Sequence, residues 1–233
     1  MFVLFATPCL SAKVDLDYFS SYIHTSVALS QRGIAHTVRL QAGICFIDHV
    51  RNVLCHQFLH EFPDATDLFF IDDDLGWPSD GVLRLLDRKE DIVGGVYPLK
   101  QDPIGFPISL ETDGNRKLVE KNGLVEAVFL PTGFMRIKRH AIELMAADQP
   151  TYPHHRSDGV TEHIKNIFHT GYYEGQRWGE DVDFANRWRA KGGRMWVDPE
   201  ITLSHLGRKR WTASFAPAVE MAKQKLAEME PAS

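Results

Sequence analysis

The chain has 233 residues, 26 of them Lys or Arg against 31 Asp or Glu, and its net charge of −5 excludes an extended nucleic-acid footprint, which needs a basic face. The Arg208-Lys209-Arg210 cluster is too short to supply one. Hydrophobic content of 44% and charged content of 24% are ordinary for a soluble globular protein, and the length suits one large domain with a proper core or two small ones.

The first residues, Met1-Phe2-Val3-Leu4-Phe5-Ala6, lack a basic leader and are far too short to cross a bilayer. Phe2 to Ala6 instead reads as a buried first strand that stops at Thr7-Pro8. The helical pattern Tyr18-Tyr22-Val27-Leu29 ends at Gly33, and His36 to Leu40 alternates as a second strand before Gly43. Phe46 to Phe62 carries Phe46, Val50, Val53, Leu54, Phe58 and Leu59 at amphipathic-helix spacing. Leu68 to Ile71 is a short apolar run, the mark of a strand buried on both faces. It runs straight into Asp72-Asp73-Asp74. A Gly76-Trp77-Pro78 break, a helix around Val82 to Leu86 and an apolar strand from Asp91 to Tyr97 complete the first hundred residues. Four rounds of strand and helix predict a parallel sheet covered on both faces, with right-handed crossovers.

The second half is patterned differently. Residues 107–110 and 117–120 flank the polar turn Thr112-Asp113-Gly114-Asn115 and predict a hairpin. Val125 to Leu130 and Phe134 to Ile137 read as strands separated by Pro131-Thr132-Gly133, and Arg139 to Ala147 as a helix. Asp148 to Trp178 shows no period and is rich in Pro, His, Tyr and Gly, the character of a functional loop such as a lid. Glu180 to Ala190 is helical, Arg194 to Val197 and Thr202 to Ser204 are short strands, and Phe215 to Met229 is an amphipathic helix. With no visible linker, the expectation is a single domain over 1–233: a nucleotide-binding half (1–100), an acceptor and catalytic half (101–210) and a C-terminal helix (211–233). Cys9, Cys45 and Cys55 have no metal-type spacing, and an odd, scattered count predicts free buried thiols in a reducing compartment. The protein is accordingly read as cytoplasmic and without a transmembrane segment, a reading that leaves room for docking on a membrane surface.

Three adjacent carboxylates at the carboxyl end of a buried strand repel one another and need a purpose. Ligands of open α/β sheets sit at that edge, and hard divalent cations take carboxylate oxygens while sharing phosphates. The plainer reading is a solvated turn capping the next helix, although Ser79 and Asp80 stand nearer that helix start. In a strand-end conformation Asp72 and Asp74 share a face. Trp178-Gly179-Glu180-Asp181-Val182-Asp183 starts a helix at whose positive end carboxylates stay ionised, so one of them is placed to take a proton from a hydroxyl. Acidic capping is the plainer alternative, and Asp183 with Arg187 has the spacing of a simple helix ion pair. His205 follows a short strand; a lone histidine is usually structural, but beside an acidic site its imidazole can complete a metal's coordination. Arg51, in Asp48-His49-Val50-Arg51-Asn52, is placed opposite the apolar stripe of its helix or near its edge, where it either reaches a ligand or is merely solvated.

In this order, Arg51-Asn52, Asp72-Asp73-Asp74, Trp178-Gly179-Glu180-Asp181 and Ser204-His205 resemble the GT-A class of nucleotide-sugar-dependent glycosyltransferases, particularly family-2-like inverting enzymes. The resemblance runs from Phe2 to about Arg210. It implies an α/β fold: one GT-A (nucleotide-diphospho-sugar transferase) domain with a mostly parallel, Rossmann-like central sheet flanked by helices. It also implies a hexosyltransferase-like activity that uses Mn2+ or Mg2+ and a UDP-sugar or GDP-sugar donor. Asp74 and His205 would bind the metal, with Asp72 on the metal or the ribose. Thr7, Pro8, Arg51 and Asp73 would line the nucleotide pocket, and Thr132-Gly133 would lie under the donor sugar. Trp178 would stack on the acceptor, whether saccharide, lipid-linked or protein; Asp181 would be the general base and Glu180 an acceptor-hydroxyl binder. Two alternatives stay open, a sugar nucleotidyltransferase and a non-catalytic nucleotide- or carbohydrate-binding module. The first usually carries a Gly-rich loop after its first strand, where this chain has Thr7-Pro8-Cys9-Leu10-Ser11-Ala12-Lys13.

Overall fold

The computed structural model describes residues 1–173, 175–207 and 209–229; Arg208 of the basic cluster and Glu174 of the 148–178 stretch lie outside them. The chain opens with β1 (Phe2–Cys9), α1 (Leu16–Gln31), β2 (Ala35–Ala42), α2 (Ile47–His60) and β3 (Asp67–Ile71). A two-residue strand, β4 (Leu75–Gly76), follows the acidic run and precedes α3 (Ser79–Leu86) and β5 (Ile92–Gly94). Next come β6 (Ser109–Leu110), β7 (Glu120–Lys121), β8 (Leu124–Phe129), β9 (Phe134–Lys138) and α4 (Arg139–Ala146). The hairpins β10 (Thr151–His155) with β11 (Thr161–Lys165) and β12 (Gly171–Tyr173) with β13 (Gln176–Trp178) lead to α5 (Glu180–Ala190). The chain ends with β14 (Met195–Val197), β15 (Leu203–Leu206), β16 (Arg210–Ala213) and α6 (Ala216–Glu228).

The fold is mixed α/β, with a 9-stranded central sheet flanked by helices. Its order is β2-β1-β3-β9-β5-β14-β8-β6, with β7 also on β8. Strands β2, β1 and β3 are parallel as the alternation predicts. The fourth strand of the expected alternation, β5, points the same way but does not touch β3: β9, arriving later in the chain, lies antiparallel between them. Its residues Phe134, Met135 and Ile137 are fully buried, so it fills a slot in the middle of the sheet that no earlier strand occupies. β14 then adds parallel to β5, and β8 antiparallel to β14.

Period-2 alternation decides what each face packs. Leu4, Ala6, Leu68 and Phe70 join one core with residues of α2, α4, α5 and α6. Val3, Phe5, Phe69 and Ile71 join the other, with Tyr18 and Leu29 of α1 and Val82 and Leu85 of α3.

Three expectations need correction. The hairpin of 107–110 with 117–120 reduces to one bridge, Thr112 with Leu118, because β6 pairs with β8 instead. The 148–178 stretch is not irregular: it folds into the two hairpins β10–β11 and β12–β13, and Ile164 buries completely while its neighbours stay exposed or half-exposed. Of the three free cysteines, Cys9 and Cys55 are buried as expected but Cys45 is exposed.

Candidate active site

β3 and β5 both oppose β9, so their carboxyl ends open on one edge of the sheet, beside the start of β9. The acidic triplet sits there, and it caps no helix: α3 begins after Pro78 without a side-chain cap bond, and β4 intervenes. β4 explains how His205 arrives. It pairs with β15 so that His205 stands opposite Leu75, and the Leu206 N–H donates to the Asp74 carbonyl at 2.8 Å. Backbone register thus locks His205 beside Asp74, with Nε2 3.5 Å from Oδ2.

The ring is also oriented. A carbonyl only accepts, so Nδ1–H donates to the Pro98 oxygen at 2.8 Å, and Nε2 is the nitrogen turned to Asp74. The edge of Tyr97 packs on the imidazole, centroids 4.9 Å apart. Burial, followed by the charge of Asp72, pushes the Tyr97 hydroxyl well above its ordinary pKa. The Lys100 ammonium bonds Asp74 Oδ2 directly. Burial alone would raise the Asp74 carboxyl; hydrogen bonding to His205 and Lys100 and the charge of both hold it below the ordinary carboxylate value. Tyr97, Pro98 and Lys100 did not emerge from the sequence reading. The signal that could have found them is their place just beyond β5, on the same edge as the triplet.

Asp72 is engaged elsewhere. Its carboxylate faces Arg51 across 3.6 Å, and Arg51 also pairs closely with Glu180 of α5. This corrects the reading of Arg51 as a residue at the outer face or edge of its helix: it is 4% exposed, and α2 turns it inward because two carboxylates await it there. Burial raises both carboxyl pKa values, and the Arg51 charge opposes the rise. The Asp72 N–H donates to the Gly133 carbonyl at 2.9 Å, and a Cβ on Gly133 would collide with the Asp72 carboxylate and the Tyr97 ring. Thr132 beside it is buried. Asp73 turns toward Cys9; burial first, then the charge of Asp74, raises its carboxyl to about 6.

Asp181 is half-buried in the first turn of α5, its Oδ1 accepting the Val182 N–H at 2.8 Å. Trp178, half-buried, ends β13 just before Gly179, the N-cap of that helix. Asp183 forms the expected bond with Arg187, 2.7 Å, and also faces His169 at 3.3 Å. On β1, Thr7 and Pro8 are buried, and the Thr7 hydroxyl is spent on Tyr18 at 2.6 Å.

Of the three expected metal ligands the structure brings Asp74 and His205 together and ties Asp72 to Arg51. Among the described residues no group of three or more His, Cys, Asp or Glu converges so as to hold a metal ion. The Asp74–His205 pair nonetheless fits a small divalent cation. Bonds of about 2.1 Å leave neighbouring ligands about 3 Å apart, and such ions bind through one or two protein groups plus phosphate and water. Among the described residues no helix is long and apolar enough to cross a membrane.

No family model and no curated protein sequence matches the chain. Among solved structures it is similar to A197 from STIV, at 19% identity and a TM-score of 0.56, over 93% of this chain and 91% of that one. That likeness is one of fold over nearly the whole length. Looser likenesses are to the catalytic domain of Drosophila beta1,4galactosyltransferase 7 in complex with xylobiose (16% identity, TM-score 0.44, 84% of this chain and 63% of that one). A UDP-glucose pyrophosphorylase complexed with UDP-glucose also appears (8% identity, TM-score 0.47, 98% and 100%).

Proposed function

We propose that the protein is a glycosyltransferase that moves a sugar from a nucleoside-diphosphate sugar to an acceptor hydroxyl. The observation that carries this reading is the register-locked pair Asp74–His205 at the carboxyl edge of the sheet, two residues along the chain from an Asp72 that Arg51 links to Glu180 at the start of α5. Asp74 and His205 would hold Mn2+ or Mg2+. When bound, the cation supplies positive charge that neutralises a departing diphosphate.

The rest is done by the chain itself. Arg51 ties Asp72, just past the end of β3, to Glu180 on α5, fixing the donor edge relative to the acceptor helix. Asp72 and Tyr97 leave room at Gly133 for nothing larger than hydrogen, so the Thr132-Gly133 turn packs directly under the acidic edge and holds the Asp72 carboxylate in place. Asp181, in the first turn of α5, takes the proton of the attacking hydroxyl. In-line attack from that side inverts the anomeric carbon. Glu180 is a less suitable base, because Arg51 already occupies its carboxylate.

The test is incubation with a panel of UDP- and GDP-sugars and Mn2+, following release of the nucleoside diphosphate. Release of diphosphate, with or without an acceptor, supports the transferase. Pyrophosphate-dependent release of a sugar phosphate would make the protein a nucleotidyltransferase, and no turnover with binding retained would make it a binding module. Asp181→Asn should abolish transfer and leave nucleotide binding nearly intact; surviving transfer removes Asp181 from the base role.

A further inference from the structure

The positive charge that faces the metal pair comes from the chain. We propose that Lys100 is a displaceable internal counter-ion: it neutralises Asp74 while the site is empty, leaves when a divalent cation binds, and then contacts a phosphate oxygen of the nucleoside diphosphate. This rests on the metal-dependent transferase reading and adds a residue and an exchange step to it.

The geometry around Asp74 motivates it. With Nδ1 committed to the Pro98 carbonyl, His205 turns Nε2 toward Asp74 Oδ2 across 3.5 Å, and a half-buried carboxylate there calls for a positive partner. Lys100 provides one on that same carboxylate oxygen. A cation and an ammonium cannot both sit on one oxygen without strong repulsion, so the two compete.

The path of the lysine is built into the fold. Its stem crosses Gly207, where a Cβ would come within 3.0 Å of Lys100 Cδ and 3.0 Å of the Trp211 ring. The residues around it are fastened: the Leu99 N–H donates to the Gly105 carbonyl at 2.8 Å, and Pro98 holds His205. Among the described residues the ammonium is tethered by its ion pair with Asp74, and the side chain is 34% exposed. A flexible four-carbon stem with an open side can swing out without disturbing the backbone.

The experiment is calorimetric titration of the full chain with Mn2+ alone, in wild type, Lys100→Met, Lys100→Arg and Asp74→Asn, followed by UDP and GDP at saturating Mn2+. Lys100→Met should bind Mn2+ about tenfold more tightly than wild type. Lys100→Arg, which keeps the competing charge, should bind nearly as wild type does, and Asp74→Asn should bind hardly at all. With Mn2+ in place, Lys100→Met should bind the nucleoside diphosphate about tenfold more weakly. A merely structural lysine would not tighten metal binding when removed. Equal or weaker Mn2+ binding in Lys100→Met overturns the counter-ion role and leaves the transferase reading standing. No Mn2+ binding by wild type or Lys100→Met overturns the metal reading and this inference with it.

Discussion

Arg51 shows how one side chain can be invisible in a helical pattern and central in the fold. Periodicity assigns a charged residue near the edge of an apolar stripe to solvent, and nothing local says otherwise. Its partners, Asp72 and Glu180, stand far apart in the chain and meet it only when β3 and α5 are in place. Removing the guanidinium leaves two carboxylates against a low-dielectric wall, and breaking such a pair costs about 3 kcal/mol where one carboxylate retains some access to water. Arg51→Met should lower the urea midpoint accordingly at neutral pH. Burial already raises both carboxyl pKa values, so acidification protonates them and the loss should shrink. Adding Glu180→Gln should restore part of the stability, because the uncompensated charge goes with it. Asp74 and His205 are the opposite case. A carboxylate run at a strand end and a histidine after a later strand were legible as a pair, since sheet edges gather ligands; the β4–β15 register that joins them was not, because β4 is two residues long.

At the scale of elements, α2 and the β10–β11 hairpin form a histidine-rich seam. His49 bonds the Tyr152 hydroxyl through Nδ1 at 2.8 Å and lies 3.0 Å from His154 Nδ1 through Nε2. The His56 ring lies tilted against that of His60, centroids 4.5 Å apart, and faces Glu162 at 3.9 Å. Burial first, then the neighbouring imidazole, holds His49 and His56 below the usual histidine value of 6.5, while Asp48, Glu61 and Glu162 pull the other way. The folded seam therefore prefers neutral rings, and the unfolded or undocked state takes up protons first as pH falls. Docking is complete above about 6.5 and is lost as pH drops through the lowered folded values. Amide exchange over 151–165 at about pH 8 and about pH 5, corrected for intrinsic rates, should show protection falling in the hairpin while β1 and β3 keep theirs. His154→Gln should blunt the change; equal protection at both pH values would sink the idea. Asn52 anchors the far end of this stretch by bonding both the carbonyl and the N–H of Phe168, each at 2.7 Å. Neither hairpin was legible in the sequence because the seam is polar: its strands bury little apolar surface, so they leave no alternation to read.

The two halves read from the sequence are woven together. β9 inserts between β3 and β5, and β14 adds beyond β5, so strands from beyond residue 130 complete a sheet begun by the first hundred. The alternating first half was legible because β1, β3 and β5 are continuous apolar runs and β2 alternates; the later insertions were not, since strand order depends on which slots remain open. Asp198 ties the halves a second time. It is fully buried just after β14, where it accepts bonds from Arg84 of α3 at 2.9 and 3.0 Å and from Arg88 at 2.8 Å. Its own N–H donates to the Gly94 carbonyl at 2.9 Å, at the end of β5. We propose that residues 1–233 consequently unfold as one cooperative unit rather than as a nucleotide half and an acceptor half. Asp198→Asn keeps the shape but removes the charge that two guanidinium groups face, at a cost of about 3 kcal/mol. If the unit is single, native-state amide exchange in β1 and in β8 should report the same opening free energy, and the substitution should lower both equally. Should β1 stay fully protected while β8 opens, the halves are separable, and a site that draws Asp74 from one and His205 from the other would have to be assembled after each had folded.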